Sequence, residues 1–392
     1  MRAAVLGILL ALAVACSPAA APPASAASAA PATSTAIPGA ATTPKAAPGP
    51  RPPVARKEHT ERVLFGKTLV DDYAWMRNKT APEVVAHLNA ENDYAAAMTA
   101  GDAPLQKTLE DEMRARVNED DATPPVKDGA WLYYRRYEKG KQYAIHCRKR
   151  ASEPSARARE EIVLDVNELA KNEKFVDVEE MHVTDDGNVL AYATDTAGFR
   201  QYVLKTRDLR TGKDGTEAIP RANYLAWAKD GKTLLYVTED AQTKRPNKLF
   251  RHTVGTDAAK DTLVYEERDE RFDLELERTR SRAFFVVTSQ SRTTTEVRVI
   301  DAGAPAAAPR VVAPREPGHE YYVDHRGDAF YIRTNSGNRN FRVVRAPVAS
   351  PGRASWKEIV AGRDDVLLDD VLAFQDYLAI FGQEDATPQL SI

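Results

Sequence analysis

One short pattern recurs along most of this 392-residue chain and restricts its fold more than any other feature. A polar pair or Asp-Gly is followed by an apolar strand that carries an aromatic residue. It appears as DGAWLYY at Asp128, DGNVLAYA at Asp186, DGKTLLYV at Asp230, SRAFFVV at Ser281, RGDAFYI at Arg326 and QDYLAIF at Gln375. The spacing of roughly 45–60 residues is the length of one propeller blade. Further strands such as QYVLKTRDL (Gln201 to Leu209) and EVRVIDA (Glu296 to Ala302) lie between the repeats. Asp-Gly turns at the corners would make each blade a small antiparallel sheet. An open β-sandwich of similar strand density is the alternative, and the regular period favours the propeller. About six units are present, and the sixth stops within its strands at Gln389-Leu390-Ser391-Ile392. The expectation is therefore an all-β chain with an incomplete propeller, strand edges left exposed, and a truncated sequence.

The chain before the repeats has three parts. Arg2 followed by the apolar run Ala3 to Ala15 has the length and flanks of an export signal and is too short to span a bilayer. It closes on Leu12-Ala13-Val14-Ala15-Cys16, which is similar to a bacterial lipobox, although Ala13 stands where a branched residue is usual. Residues 1–16 are thus expected to direct export to the periplasm, with Cys16 as a lipidation site and membrane anchor. Ordinary cleavage, giving a soluble exported protein, is the other reading. Residues 17–61 are rich in Ala and Pro and poor in charge and aromatics up to about Pro53, a disordered tether. Residues 62–122 should be helical. Pro82-Glu83 starts one helix and Asp102-Ala103-Pro104 a second, in which Leu105, Leu109, Met113 and Val117 form an apolar stripe. Two helices ahead of an all-β region, residues 123–392, imply a cap or a strap onto another domain.

Composition excludes more than it identifies. The net charge of −3 offers no basic field for nucleic acid. Cys147, the only cysteine besides Cys16, sits in an expected strand and reads as a buried, inert thiol. The seven histidines, His59, His87, His146, His182, His252, His319 and His325, lack zinc-ligand spacing, and no glycine loop for phosphate is present, so no cofactor or metal is expected. There is no Gly-x-Ser-x-Gly nucleophile elbow either. Ser336, in Asn335-Ser336-Gly337-Asn338, reads as part of a hairpin turn. No catalytic residue is assigned within the chain.

Several long blocks then carry a family resemblance. The stretch Asp72 to Arg77, DYAWMR, is similar to the D-x-Y-x-W-L-R opening of the prolyl oligopeptidase family. Leu105 to Arg148, Leu164 to Ala170, Asp195 to Leu209, Leu263 to Ala302 and Pro314 to Val348 resemble the oligopeptidase B (protease II) branch of those serine peptidases. The resemblance runs from about Arg62 to the end. It implies a short N-terminal helical segment, a seven-bladed propeller and a C-terminal α/β-hydrolase domain, of which the last is absent here. It also implies that the propeller admits short basic peptides, cut after Arg or Lys by a Ser/Asp/His domain C-terminal to this chain.

On that basis the acidic run Glu119-Asp120-Asp121 and the strand pair Arg135 and Arg136 are candidate substrate-gating residues. Glu266-Glu267-Arg268-Asp269-Glu270-Arg271 is a second acidic cluster that either faces the tunnel or lies in solvated turns. Arg135 and Arg136 alternate faces, so one alone can point inward. The rival to a peptidase propeller is a stand-alone propeller lipoprotein that binds peptides or a partner protein.

Overall fold

A computed structural model describes residues 49–154 and 158–392. The export segment and Cys16 lie outside the described residues. Two compact units are present, one ending at Asn118 and the other running from Glu119 to Ile392.

The first unit opens with an antiparallel hairpin, β1 (Glu61–Leu64) and β2 (Lys67–Val70), followed by α1 (Pro82–Thr99) and α2 (Ala103–Ala115). Both helices begin with a proline in the first turn, where a missing N–H costs nothing. The hairpin was not foreseen, and its turn rests on Phe65-Gly66, both with positive φ. The DYAWMR stretch has a structural role. The Asp71 carboxylate accepts from the Tyr73 N–H at 3.1 Å and from Arg77 Nη2 at 2.8 Å. Trp75 donates its indole N–H to the Arg56 carbonyl at 3.0 Å, beneath the Arg56 guanidinium. On α2 the side chains of Leu105, Leu109 and Met113 are all exposed, and Val117 just beyond it is too.

The second unit is a partial propeller of six consecutive sheets. Blade 1 holds β3 (Val126–Asp128), β4 (Trp131–Arg136), β5 (Ile145–Arg150) and β6 (Glu161–Asp165), followed by the single turn α3 (Val166–Leu169). Blade 2 holds β7 (Asp177–Val183), β8 (Val189–Asp195) and β9 (Val203–Asp208), with the short β10 (Lys213–Asp214) and β11 (Ile219–Pro220) both paired to β9. Blade 3 holds β12 (Ala222–Trp227), β13 (Thr233–Glu239), β14 (Pro246–Thr253) and β15 (Thr262–Glu266). Blade 4 holds β16 (Asp273–Arg278), β17 (Phe284–Gln290), β18 (Thr295–Asp301) and β19 (Arg310–Val311). Blade 5 holds β20 (Tyr321–Arg326), β21 (Ala329–Thr334), β22 (Arg342–Pro347) and β23 (Lys357–Val360). Blade 6 holds β24 (Val366–Ala373), β25 (Leu378–Glu384) and β26 (Thr387–Ser391). Each of the six repeats read from the sequence falls at the turn between the first and second strands of one blade. Ser336 lies in the β21–β22 hairpin loop.

The core is divided among the seams between blades. Leu235, Leu249 and Val237 of blade 3 pack on Leu274, Phe285 and Ile300 of blade 4. Trp227 and Tyr236 of blade 3 meet Ala191 and Leu204 of blade 2. Phe330 and Ile332 of blade 5 meet Val297 and Val299 of blade 4. Strands such as β8 and β13 are therefore almost continuously apolar, because neighbours cover both of their faces. Cys147 is buried in β5, and burial, followed by the Glu160 charge, pushes its thiol up to about 11.

The seam between blades 1 and 2 turns on Gly187. Trp131 is sandwiched by the guanidinium groups of Arg148, at 3.7 Å, and Arg150, at 3.9 Å, and Arg148 donates to the Gly187 carbonyl. Gly187 has φ +76°, and a Cβ there would lie 2.5 Å from the Trp131 indole nitrogen. Gly255 has a similar φ of +85° but open space around it. Gly255→Ala should cost about 1 kcal/mol through the backbone alone. Gly187→Ala should cost roughly 2–3 kcal/mol, because the clash adds to the same strain. Urea unfolding of the two variants checks this, and equal losses would show that the Trp131 contact does not hold the seam.

Candidate functional site

Glu119, Asp120 and Asp121 lie in the extended segment that leads into blade 1. The Asp121 carboxylate accepts from the Ala122 N–H at 2.8 Å, and the Asp121 carbonyl accepts from the Tyr137 N–H at 2.8 Å. Thr123 bonds both to and from the Arg135 backbone. The segment and the end of β4 are thus brought together through the main chain. Arg135 is exposed and sits opposite His146. Burial, with the Arg135 charge second, holds the His146 imidazole down at about 4. Arg136 is half-buried and ion-paired with Glu138 and with Glu160, at 3.0 Å, which also accepts from the Tyr134 hydroxyl. Glu160 directly precedes β6, the outermost strand of the blade.

The second acidic cluster forms a buried wire between blades. Glu267 accepts from Arg315 Nη2 and, at 3.0 Å, from the Tyr265 hydroxyl. Arg315 also reaches Glu296 at 3.1 Å, and Glu296 accepts from Arg298. The Arg315 guanidinium lies 4.1 Å from the centre of the Phe272 ring. Asp269 and Arg271 pair on the surface.

The tunnel-facing charge comes from residues that the sequence reading did not single out. First strands form the inner edge of each sheet, and β12 touches both β7 and β16. Along β16 the leucines Leu274 and Leu276 are buried in the seam, while Asp273, Glu275 and Glu277 alternate with them on the other face of this innermost strand. Bulges re-aim the acids elsewhere. The register shifts between Glu179 and His182 in β7, between Asn223 and Leu225 in β12, and between Leu368 and Asp370 in β24. Glu180 (φ +52°) and Tyr224 (φ +51°) take the left-handed conformation at the first two. Together with Glu179, Asn223 and Pro246 they line a cavity of about 280 Å³. Burial, then the carboxylates of Glu275, Glu180, Asp273 and Glu179, in that order, push the Tyr224 phenol far up. On the opposite arc, Arg333 lies over Tyr322 and donates to the Leu368 carbonyl at 3.0 Å; Asp370, Asp369 and Glu320 partly offset the burial that lowers its pKa.

The signal for this ring was present in the sequence. The first strands read DVEEMHV, DLELER and VLLDDVLA, with acids inside otherwise apolar runs. Without knowing which strand is innermost, they look like ordinary solvated faces.

Ion pairs between blades cross the hairpin end of the tunnel. Arg282, at φ +59° in the β16–β17 turn, pairs with Asp128 of blade 1 and with Asp185 of blade 2, the latter at 2.9 Å; Arg278 also pairs with Asp185, at 2.8 Å. Blade 4 is not a sequence neighbour of blade 1 or 2, so these pairs cross the axis. Among the described residues no group of three or more His, Cys, Asp and Glu is arranged to hold a metal.

Burial opposes ionisation of Glu267 and Glu296, but Arg315 and the surrounding hydrogen bonds more than offset it, and both carboxyls are held below their usual value. A depressed folded pKa means that the unfolded chain binds more protons. The stabilisation is therefore complete above about pH 4.3 and is lost as pH falls through the lower folded values. Arg315→Met should remove about 3 kcal/mol at pH 7 by leaving the buried acids without their cation. It should also flatten the acid limb of the stability–pH curve. Chemical unfolding across pH 3–7 measures both, and a variant curve that parallels the parent would show that the wire is not coupled to folding.

Comparison with known proteins places this geometry among relatives. The family described as prolyl oligopeptidase, N-terminal beta-propeller domain, matches residues 52–392. The dipeptidyl aminopeptidase BI of Pseudoxanthomonas mexicana is 36% identical over 367 residues, which cover 90% of this chain and 51% of that protein. Protease 2 of Moraxella lacunata is 33% identical over 346 residues, 86% of this chain and 49% of that one. The solved structure of oligopeptidase B from Leishmania major superposes with a TM-score of 0.81 at 28% identity, over 87% of this chain and 50% of that chain. The chain spans about half the length of the curated relatives it matches.

Proposed function

The chain belongs to the prolyl oligopeptidase family, as its N-terminal β-propeller domain, and from that premise we propose that it is the gating propeller of an exported oligopeptidase B-like serine endopeptidase. Its substrates would be short peptides containing Arg or Lys. Chemistry would come from a hydrolase domain C-terminal to these residues, since the chain contains no Gly-x-Ser-x-Gly. The exposed stripe on α2 is a docking face of the right kind for such a domain. In this reading Cys16 is lipidated and holds the enzyme at a periplasmic membrane surface; the tether ends before Arg56, which is bonded to Trp75, rather than at residue 61.

The observation that carries the proposal is the acidic inner wall where Glu179 and Glu180 line one cavity with Tyr224, beside the strand that carries Asp273 and Glu275. A narrow, low-dielectric channel lined by one sign of charge concentrates ligands of the other sign and raises their rate of arrival. A peptide bearing Arg or Lys is drawn in, and a folded protein does not fit. The ion pairs of Arg278 and Arg282 across the hairpin end narrow that end of the route.

In the intact protein, Glu179→Gln combined with Glu275→Gln should lower kcat/KM for an Arg-containing peptide by about tenfold at low salt. A neutral peptide should be little affected, and the difference should shrink as ionic strength rises. The 392-residue chain by itself should show no hydrolysis sensitive to a serine-directed inhibitor. Equal losses for basic and neutral peptides would remove the electrostatic role. Release of dipeptides from free N-termini, the activity named for the Pseudoxanthomonas relative, would replace the endopeptidase reading.

A further inference from the structure

A cavity of about 370 Å³ lies at the hairpin end of blades 4, 5 and 6, outside the acidic wall. Three turns build it. The β16–β17 turn contributes Arg280 and Ser281, the β20–β21 turn His325 and Arg326, and the β24–β25 turn Phe374 and Gln375.

Its two guanidinium groups differ from their neighbours. Arg278 and Arg282, two residues to either side of Arg280, are ion-paired with aspartates. Among the described residues neither Arg280 nor Arg326 forms an ion pair, and both are held by neutral partners instead. The Arg280 guanidinium lies 3.6 Å from the centre of the Phe374 ring, whose other contact is a stack on Tyr377 at 4.6 Å. Arg326 donates from Nη2 to the Tyr331 hydroxyl at 2.6 Å and from Nη1 to the Phe374 carbonyl at 3.3 Å. The nearby Asp324 carboxylate does not neutralise them directly. Its oxygens accept from the backbone N–H groups of Arg280 (3.0 Å), His325 (2.8 Å) and Ala373 (2.8 Å). The Ser281 hydroxyl and the His325 ring also line the cavity, joined at 2.7 Å, and the hydroxyl bonds Thr279 at 3.0 Å and accepts from the Ala283 N–H at 3.3 Å as well.

Two fixed cations, a hydroxyl and an aromatic wall form a receptor for an oxyanion attached to an apolar body. Stacking and hydrogen bonds restrict both arginines before any ligand arrives, so less side-chain entropy is lost on binding. Planar guanidinium groups match carboxylate and phosphate oxygens. The volume lies at the lower end of the range for small-molecule sites and suits a group the size of one aromatic residue. We propose that this cavity binds the terminal oxyanion of a small ligand or peptide, either a free C-terminal carboxylate or a phosphate monoester. The inference does not depend on the peptidase reading, because it concerns turns away from the acidic wall and is read by binding.

The probes are N-acetylphenylalanine, its amide, and phenyl phosphate, titrated calorimetrically into the intact protein. Saturable one-site binding of the free acid or of phenyl phosphate, with none of the amide, is expected, and the tighter of the two identifies the source of the oxyanion. Arg280 is exposed, so Arg280→Ala should fold normally and weaken binding at least tenfold. Gln375→Glu, which adds a competing carboxylate to the lining, should do the same without removing a cation. The proposal is overturned if neither anion saturates, if the amide binds as well as the acid, or if both variants retain the parent affinity.

Discussion

A small antiparallel sheet with apolar side chains on both faces is stable only when another sheet covers each face. That requirement organises everything from Glu119 to Ile392. Leu235 and Leu249 on one sheet are buried by Leu274 and Phe285 on the next, and Val297 and Val299 of that next sheet by Phe330 and Ile332 beyond it. The seams then fix which edge of each sheet points inward. Because the first strand of every blade occupies that edge, a handful of residues on β7, β12, β16, β20 and β24 set the chemistry of the interior.

The seams also hold most of the buried charge. Glu267, Glu296, Arg298 and Arg315 join blade 4 to the linkers on either side of it, and His252 is fully buried 2.7 Å from Asp261. Such groups restrict how neighbouring blades register on each other, because a shifted blade would leave a carboxylate buried without its partner. Some of the backbone strain lies in the same inner region. The left-handed Glu180, Tyr224 and Arg282 all lie on first strands or their turns, and each carries a polar side chain to the axis or across it.

The interior and the hairpin end differ in how their charges are partnered. Glu179 and Glu180 of the first strand of blade 2 line a cavity with Tyr224, while at the hairpin end Arg278 and Arg282 are paired with Asp185 and Asp128, and Arg280 and Arg326, among the described residues, are held by neutral partners. A net charge of −3 reports neither arrangement.

The repeat of Asp-Gly turns and aromatic strands was enough to determine the propeller, the number of its blades and the position of every first hairpin, because strand period and turn chemistry are local properties. The two helices were legible for the same reason, through Pro82, Pro104 and the Leu105–Leu109–Met113 spacing. The interior was not. Glu119–Asp121 and Arg136 stood out as charge runs, yet the bonds of Asp121 and Arg136 lie along the first blade, whereas Glu179, Glu275 and Asp369 looked like any exposed acid on a strand. Whether a side chain on a strand meets solvent, a seam or the axis depends on which strand is innermost and where a bulge shifts the alternation by one residue. Those choices are made only when all the blades pack together.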